Sequence, residues 1–438
     1  MTTIAGTLTD FTRRFQDMHA TVTAVNRGDI TGASTEPIPH SCLSPLAMWA
    51  QLAMLGKAAD AGPEDIVPSP AIAAQMIDAV FALPHPACVL RPTMWLNPLV
   101  DNADLSAIID RLSALRHWVG DQPPPTEQLD TWASANTWGL IPGFPVGADN
   151  SRPFGPADDA VADVPALTSG IAFGAHGRWA MPLEIRPAGS LTQWSVDRVL
   201  RTRGPDCGLA WDPQLGFLGV TVNRCSNGLF TLSVIGDPTL RGDAVSAAAA
   251  RLVRRFATGE RIMLRGDELP VGDGGWWRVG SDPAHRSGWM EQQHNCAVLP
   301  AWTVGDSFDL MAYGLGYWSV LQKGLCARIG APFDTATAGH SACARFDTDG
   351  VVAAAVNGTQ IVHGGWQQAL LATVAHSPTP DRPLPPGAGG TIVELEYRHP
   401  FAVVVATSSE QRGHFWQGLP LHVTWVAEAT EPTTERPG

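Results

Sequence analysis

Apolar residues recur at helical spacing in the first third of the chain, whereas later they alternate or run in short blocks, so the pattern predicts helices first and strands afterwards. Phe11, Phe15, Met18 and Val22 mark one helix face, and Pro37 and Pro39 break the chain before the apolar run Leu46 to Leu55. Further helical patterns cover Ile72 to Phe81 and Leu105 to Leu115, and Gln122-Pro123-Pro124-Pro125 closes that set. From about Ala166 onward strand signals dominate. Phe217 to Val222, Leu229 to Ile235, Thr391 to Tyr397 and Ala402 to Ala406 lie between Gly, Asn and Asp turns. No regular βαβ alternation joins them, which argues for an α+β fold around antiparallel or mixed sheets. The expected organisation is a single domain over 1–438, mainly helical over 8–145 and mainly β over 160–429, with a disordered polar tail over 430–438. The stretch Ser377 to Gly390 is a Pro- and Gly-rich exposed connector.

Composition narrows the class. Hydrophobic residues make up 45% and charged residues 16% of the 438 positions, with 16 Trp, which fits a globular protein with a large core and excludes a mainly disordered one. A formal charge of −13 and a pI near 5.4 oppose nucleic acid or an anionic membrane as the main partner, because both would be repelled. No basic-then-apolar N-terminal segment and no run of roughly 18 apolar residues is present, so the expected location is the cytoplasm. Seven scattered Cys without a CxxC pair resemble neither a disulfide framework nor a zinc ribbon and read as inert thiols.

Enzyme motifs fail in turn. Gly339-His340-Ser341-Ala342-Cys343 approximates a nucleophile elbow, but its last position is Cys where the sharp turn needs a small residue. His285, His294 and Cys296 have no further ligand at usable spacing for a metal. There is no phosphate-binding glycine loop, and no metal or cofactor is expected. Asn357-Gly358-Thr359 is formally a glycosylation sequon that carries no meaning without export.

Several separated segments, in order, resemble the serpin family. Ser44-Pro45-Leu46-Ala47 with Leu52-Ala53-Met54-Leu55 is similar to its SPxS…LAML helix, and Asp130, Trp132, Thr137, Gly139 and Ile141 fall on its NxWxxxxTxGxI spacing. Trp179 to Leu183 resembles WxxPF, and Leu299 to Val304, continuing through Phe308, Asp309 and Leu310, resembles LPKFxIxxxYDL. His340 precedes Gly350 by ten residues, as in the family's strand before the hinge, and His399-Pro400-Phe401 resembles its HPF strand. Gly418 to Val426 resembles its closing strand, with Thr424 where the family keeps Gly. The joint order across about 385 residues identifies the chain as similar to a divergent, bacterial-type serpin.

That resemblance implies the serpin fold, no catalytic residue, and a loop that a protease cleaves and that then enters the main sheet as a new strand. Gly350 is the implied pivot, with Val351, Val352, Ala353, Ala354, Ala355 and Val356 as the inserting hinge. Small uncharged side chains suit that role, because both faces of an inserted strand become buried. Counting forward from Gly350 puts the cleaved bond near Gly364, followed by Gly365, and counting back from Pro400 puts it near Gly389. The difference, 389 − 364 = 25, implies an insertion of that size. Bait candidates are therefore Gly364, Gly365, Leu370, Leu371, His376, Arg382 and Gly389, although Arg382 precedes Pro383 and resists trypsin-like attack.

Two clusters implied by the family depart from it. Beneath the sheet opening it keeps Ser, Asn and His, here Ala47, Ile171 and His340. Above, it pairs Lys with Glu, here Ala301 and Arg345. The first expectation is a monomeric inhibitor of a serine, less readily a cysteine, protease. The alternative is a non-inhibitory binding protein that uses the enlarged loop around Trp366, and a third is a serpin fold recruited as an enzyme scaffold.

Overall fold

A computed structural model describes residues 8–16, 18, 40–59, 84–96, 124–146, 165–189, 191–281, 295–313, 315–326, 334–363, 391–408 and 416–432. The helical patterns expected over 72–81 and 105–115 lie outside these residues, as do His285 and His294.

The strands, in chain order, are β1 (Ser41–Leu43), β2 (Cys88–Leu96), β3 (Pro165–Arg178), β4 (Glu184–Pro187), β5 (Arg198–Arg203), β6 (Cys207–Asp212), β7 (Gly216–Arg224), β8 (Leu229–Ile235), β9 (Gly272–Asp273), β10 (Trp277–Ser281), β11 (Cys296–Leu299), β12 (Trp302–Asp309), β13 (Asp334–Phe346), β14 (Gly350–His363), β15 (Thr391–Glu396), β16 (Phe401–Thr407) and β17 (Pro420–Val426). They form three sheets. The central one has the order β12-β13-β14-β3-β2, entirely antiparallel. A second runs β1-β17-β16-β8-β7-β6 and a third β4-β5-β11-β15-β10-β9.

Residues 8–16 form α1, which packs Phe15 edge-on against Phe308 at 5.5 Å. Helix α2 (Pro45–Ala59) starts where Ser44 caps it, the hydroxyl accepting from the Ala47 N–H, with Pro45 in the first turn where a missing N–H costs nothing. Leu46 to Leu55 are buried on every side of the helix, so α2 runs through the core behind the central sheet. Helix α3 (Thr126–Asn136) follows the prolines and lies across the opposite face, and α4 (Gly242–Ala257) covers β8, β16 and β17. Among the described residues no helix is long and apolar enough to cross a membrane.

Two expectations change. The region expected to be mainly helical contains β2, where Pro92 sits inside the strand; β2 is the edge of the sheet, so the absent proline N–H breaks no inner ladder. The tail does not begin at Thr430. Thr430 donates to the Ala301 carbonyl at 2.8 Å, and Glu431 pairs with Arg198, which also donates to the Pro432 carbonyl.

Candidate functional site

The hinge predicted from sequence is the middle strand of the central sheet. Gly350 to His363 pairs with β13 from Phe346 to Asp334 and with β3 from Arg178 to Pro165, so fourteen residues fill one slot between two strands. The loop expected to open at Gly350 is thus strand as far as His363. Gly364, Gly365, Leu370, Leu371, His376, Arg382 and Gly389 lie outside the described residues.

The slot explains the side chains. Val351, Ala353 and Ala355 face the main core with α2, while Ala354 and Val356 face the cluster under α3 that contains Leu129, Ile141 and Phe144; all five are at most 1% exposed. With both faces covered, no charged or bulky group fits, which is why an alanine triplet replaces the usual strand formers. Val352 is partly exposed beside Arg345. At the pivot, a Cβ on Gly350 would lie 2.0 Å from the Gly177 carbonyl oxygen, so only glycine allows this approach of β14 to β3. The turn into it is short: Asp347 donates to the Gly350 carbonyl at 3.0 Å, and Trp179 Nε1 donates to the Asp347 carbonyl at 2.8 Å. That hydrogen bond, with the Trp179 ring 4.9 Å from Phe346, gives the WxxPF resemblance its local role.

Beyond Val356 the strand is matched to its slot by polar partners. His340 on β13 stands beside Asn357, which in turn stands beside Ile171 on β3. The Ser44 N–H donates to His340 Nε2 at 3.2 Å, so the proton resides on Nδ1, which donates to Asn357 Oδ1. Asn357 therefore supplies from β14 the polar partner that Ile171 does not. Burial pushes the His340 imidazole down to about 4, the Asn357 hydrogen bond offsetting part of that. His422, which bonds the Ala354 carbonyl through Nε2 at 3.1 Å, is pushed down to about 3 by burial and secondly by His340. Further along, the Ser169 and Thr359 hydroxyls meet at 2.5 Å, and Gln360 reaches Thr168 Oγ1 at 3.4 Å.

A row of glycines crosses three strands. Gly339, Gly358 and Gly170 are direct neighbours on β13, β14 and β3. The segment after α3 lies on this row: a Cβ at Gly358 would fall 2.5 Å from Phe144 and 2.7 Å from Val146, one at Gly170 2.7 Å from Phe144, and one at Gly339 2.5 Å from the Pro145 carbonyl oxygen. The family-like motif holds that segment down. Asp130 accepts the Phe144 N–H at 2.7 Å, Thr137 accepts the Ile141 N–H at 3.2 Å, Gly139 takes φ +75°, and Trp132 and Trp95 bracket the Phe144 ring.

Of the two departing clusters, His340 keeps its place under the sheet, with Ala47 and Ile171 buried and apolar near it. Ala301 bridges Thr430, whereas Arg345 pairs with Thr303 and Val352, so these two form no contact pair of their own. Ser341 sits within β13 and hydrogen-bonds Ser307 at 2.8 Å, not on a strained turn. Asn357, read as an idle sequon, is fully buried. Sequence reasoning missed Asn357, Gly358 and Thr359; the signal available was that small residues continue past Val356. Among the described residues there is no metal-binding group of His, Cys, Asp or Glu, and Cys296 is buried in β11.

The third sheet bears on the same site. β15, which follows the undescribed stretch, is an inner strand, antiparallel to β10 from Thr391 to Leu395 and parallel to β11 from Glu394 to Glu396. Beside the Phe144 segment a cavity of about 830 Å³ opens, lined in part by Val146, Asp306, Phe308, His340 and Ser341. Burial pushes the Asp306 carboxyl up to about 6.

No protein-family model and no curated protein matches the chain. Solved structures do. A thermophilic serpin, tengpin, in the latent state superposes with TM-score 0.54 at 11% identity over 98% of each chain. A loop C-sheet serpin polymer gives 0.53 at 10% over 98% of this chain and 96% of that one, and cleaved serpin 42Da gives 0.51 at 14% over 99% and 100%. A central antiparallel sheet flanked by α2 and α3, two further sheets, and near-complete coverage by such structures establish that this chain has the serpin fold.

Proposed function

We propose that the protein is a serpin-type inhibitor of a serine, less readily a cysteine, protease, with Gly350–His363 as the segment that enters the central sheet and the protease-sensitive bond in the stretch 364–390. The observation that carries this reading is the strand slot itself: no described buried position of β14 carries a charged residue, Ala353, Ala354, Ala355 and Gly358 are small, and Asn357, Thr359 and Gln360 each meet a polar partner, as the end state of loop insertion requires. The working form would hold this segment outside the sheet, and trapping would spend the free energy released on its entry. Freshly refolded protein incubated with a panel of serine and cysteine proteases is expected to give an SDS-stable complex with at least one. Absence of a complex with every member refutes the inhibitor reading.

Two observations favour a second reading, a non-inhibitory binding protein: β14 already occupies its slot in an uncut chain, and a cavity of about 830 Å³ opens between β12, β13 and the Phe144 segment. Under that reading the panel yields cleaved chains but no complex.

A further inference from the structure

The face of the central sheet that carries α3 is covered unevenly. Over β3 and β14, Phe144 fills the space above Gly170 and Gly358. Over β12 the same face is open: a Cβ on Gly305 would meet only the Ala342 carbonyl oxygen, at 3.7 Å, and Ser307 is exposed. The cavity of about 830 Å³ lies at this step, within the roughly 300–1,000 Å³ of ligand sites. Ser307 and Ser341 hydrogen-bond across its floor at 2.8 Å, and strand alternation puts Asp309, Thr337, Gly339 and Cys343 on the same side. From Cys343 to Thr337 the floor runs 343 − 337 = 6 residues, about 20 Å at the usual strand rise.

The lining specifies an occupant. Leu140, Pro142, Phe144 and Val146 make one wall apolar. The described lining residues include two carboxylates, Asp306 and Asp309, and no Lys or Arg. His340 is turned to the far side of the sheet, where Ser44 and Asn357 engage both its ring nitrogens. Asp306 also turns that way and accepts the Cys42 N–H, so its charge adds to the potential without lying on the floor. Asp309 accepts the Met311 N–H at 2.9 Å, which fixes its carboxylate at one end of the cavity. It stands opposite Gly339, which makes Thr337 its diagonal neighbour at roughly 7–8 Å, a gap that one ammonium group bridges. Thr337 Oγ1 is buried and has no hydrogen-bond partner among the described residues, a cost that a ligand donating to it removes. An anion finds no partner here and is repelled by the charge of −13, whereas a neutral chain desolvates Asp309 without compensation.

We propose that this cavity binds an elongated cationic amphiphile, its ammonium group held between Asp309 and Thr337 and its apolar body laid along the wall from Val146 to Leu140. The proposal rests on the binding-protein reading and names the ligand class for it.

Calorimetry with decylamine, decanol and decanoate, each below its micelle concentration, is the test. Decylamine is expected to bind about tenfold or more tighter than decanol, and decanoate to give no heat. Equal affinities for amine and alcohol, decanoate binding as tightly as decylamine, or no heat from any of the three overturns the proposal. Asp309→Asn keeps an acceptor for the Met311 N–H and should weaken decylamine about tenfold while leaving decanol unchanged; equal weakening of both overturns the assigned role of Asp309. Ser307→Trp, at an exposed position of the edge strand β12 where a large side chain is tolerated, should fill the cavity and abolish decylamine binding. Amine binding that survives this substitution, with the urea midpoint unchanged, puts the ligand elsewhere and sinks the proposal. An SDS-stable protease complex refutes the binding-protein reading and leaves the measured affinities as they are, whereas an affinity order led by the alcohol or the acid refutes the ligand class and leaves that reading standing.

Discussion

Replacing Gly358 by alanine sets two effects of opposite sign against each other. In an exposed loop the substitution reduces the freedom of the unfolded chain and stabilises by about 0.4–1 kcal/mol. In the slot the new methyl group would lie 2.5 Å from Phe144 Cε1 and 2.7 Å from Val146 Cγ2, distances at which something must move. Phe144 has little room to yield, since its N–H is tied to Asp130 and its ring is wedged between Trp95 and Trp132. Such overpacking costs about 1–3 kcal/mol, so a net loss of about 1–2 kcal/mol is expected. Hydrogen exchange of β14 amides in uncut protein should accelerate about 5- to 30-fold, with the urea midpoint lowered. In a Phe144→Ala background the same glycine substitution should cost less, because the Phe144 clash is gone and only the Val146 contact at 2.7 Å remains. A Gly358→Ala protein that is as stable as the parent, or that is destabilised equally in both backgrounds, would refute the placement of β14 beneath this segment.

Two further outcomes follow from the polar centre of the slot. His340 and His422 have folded values near 4 and 3, below the 6.5 of a free imidazole, so the unfolded chain binds protons first and stability is full above about pH 6.5 and falls below it. His340 alone should contribute a loss on the order of 2 kcal/mol between pH 7 and pH 5, partly opposed by Asp306, whose raised value favours the fold at low pH. Urea titrations across this range should show a shallower pH slope in His340→Gln, and an unchanged slope rules out His340 as the source. Asn357→Ala removes the acceptor of the His340 Nδ1–H and should cost about 1–3 kcal/mol, read from the urea midpoint of uncut protein; no change would mean that Asn357 is not at the sheet centre in solution.

The chain order of serpin-like segments and the small-residue run Gly350 to Val356 were enough to predict an α+β serpin fold and an insertable strand. Those features are local: an apolar helix capped by Ser44, glycine where the backbone must approach, alanine where two faces are buried. β2 was not legible, because Pro92 signals against a strand unless the strand is known to be an edge. Nor were the roles of Asn357, Gly358 and Thr359, whose partners His340, Phe144 and Ser169 lie 17, 214 and 190 residues away in the chain. A hydrophobic pattern reports which faces a segment can bury, and tertiary pairing decides which neighbours bury them.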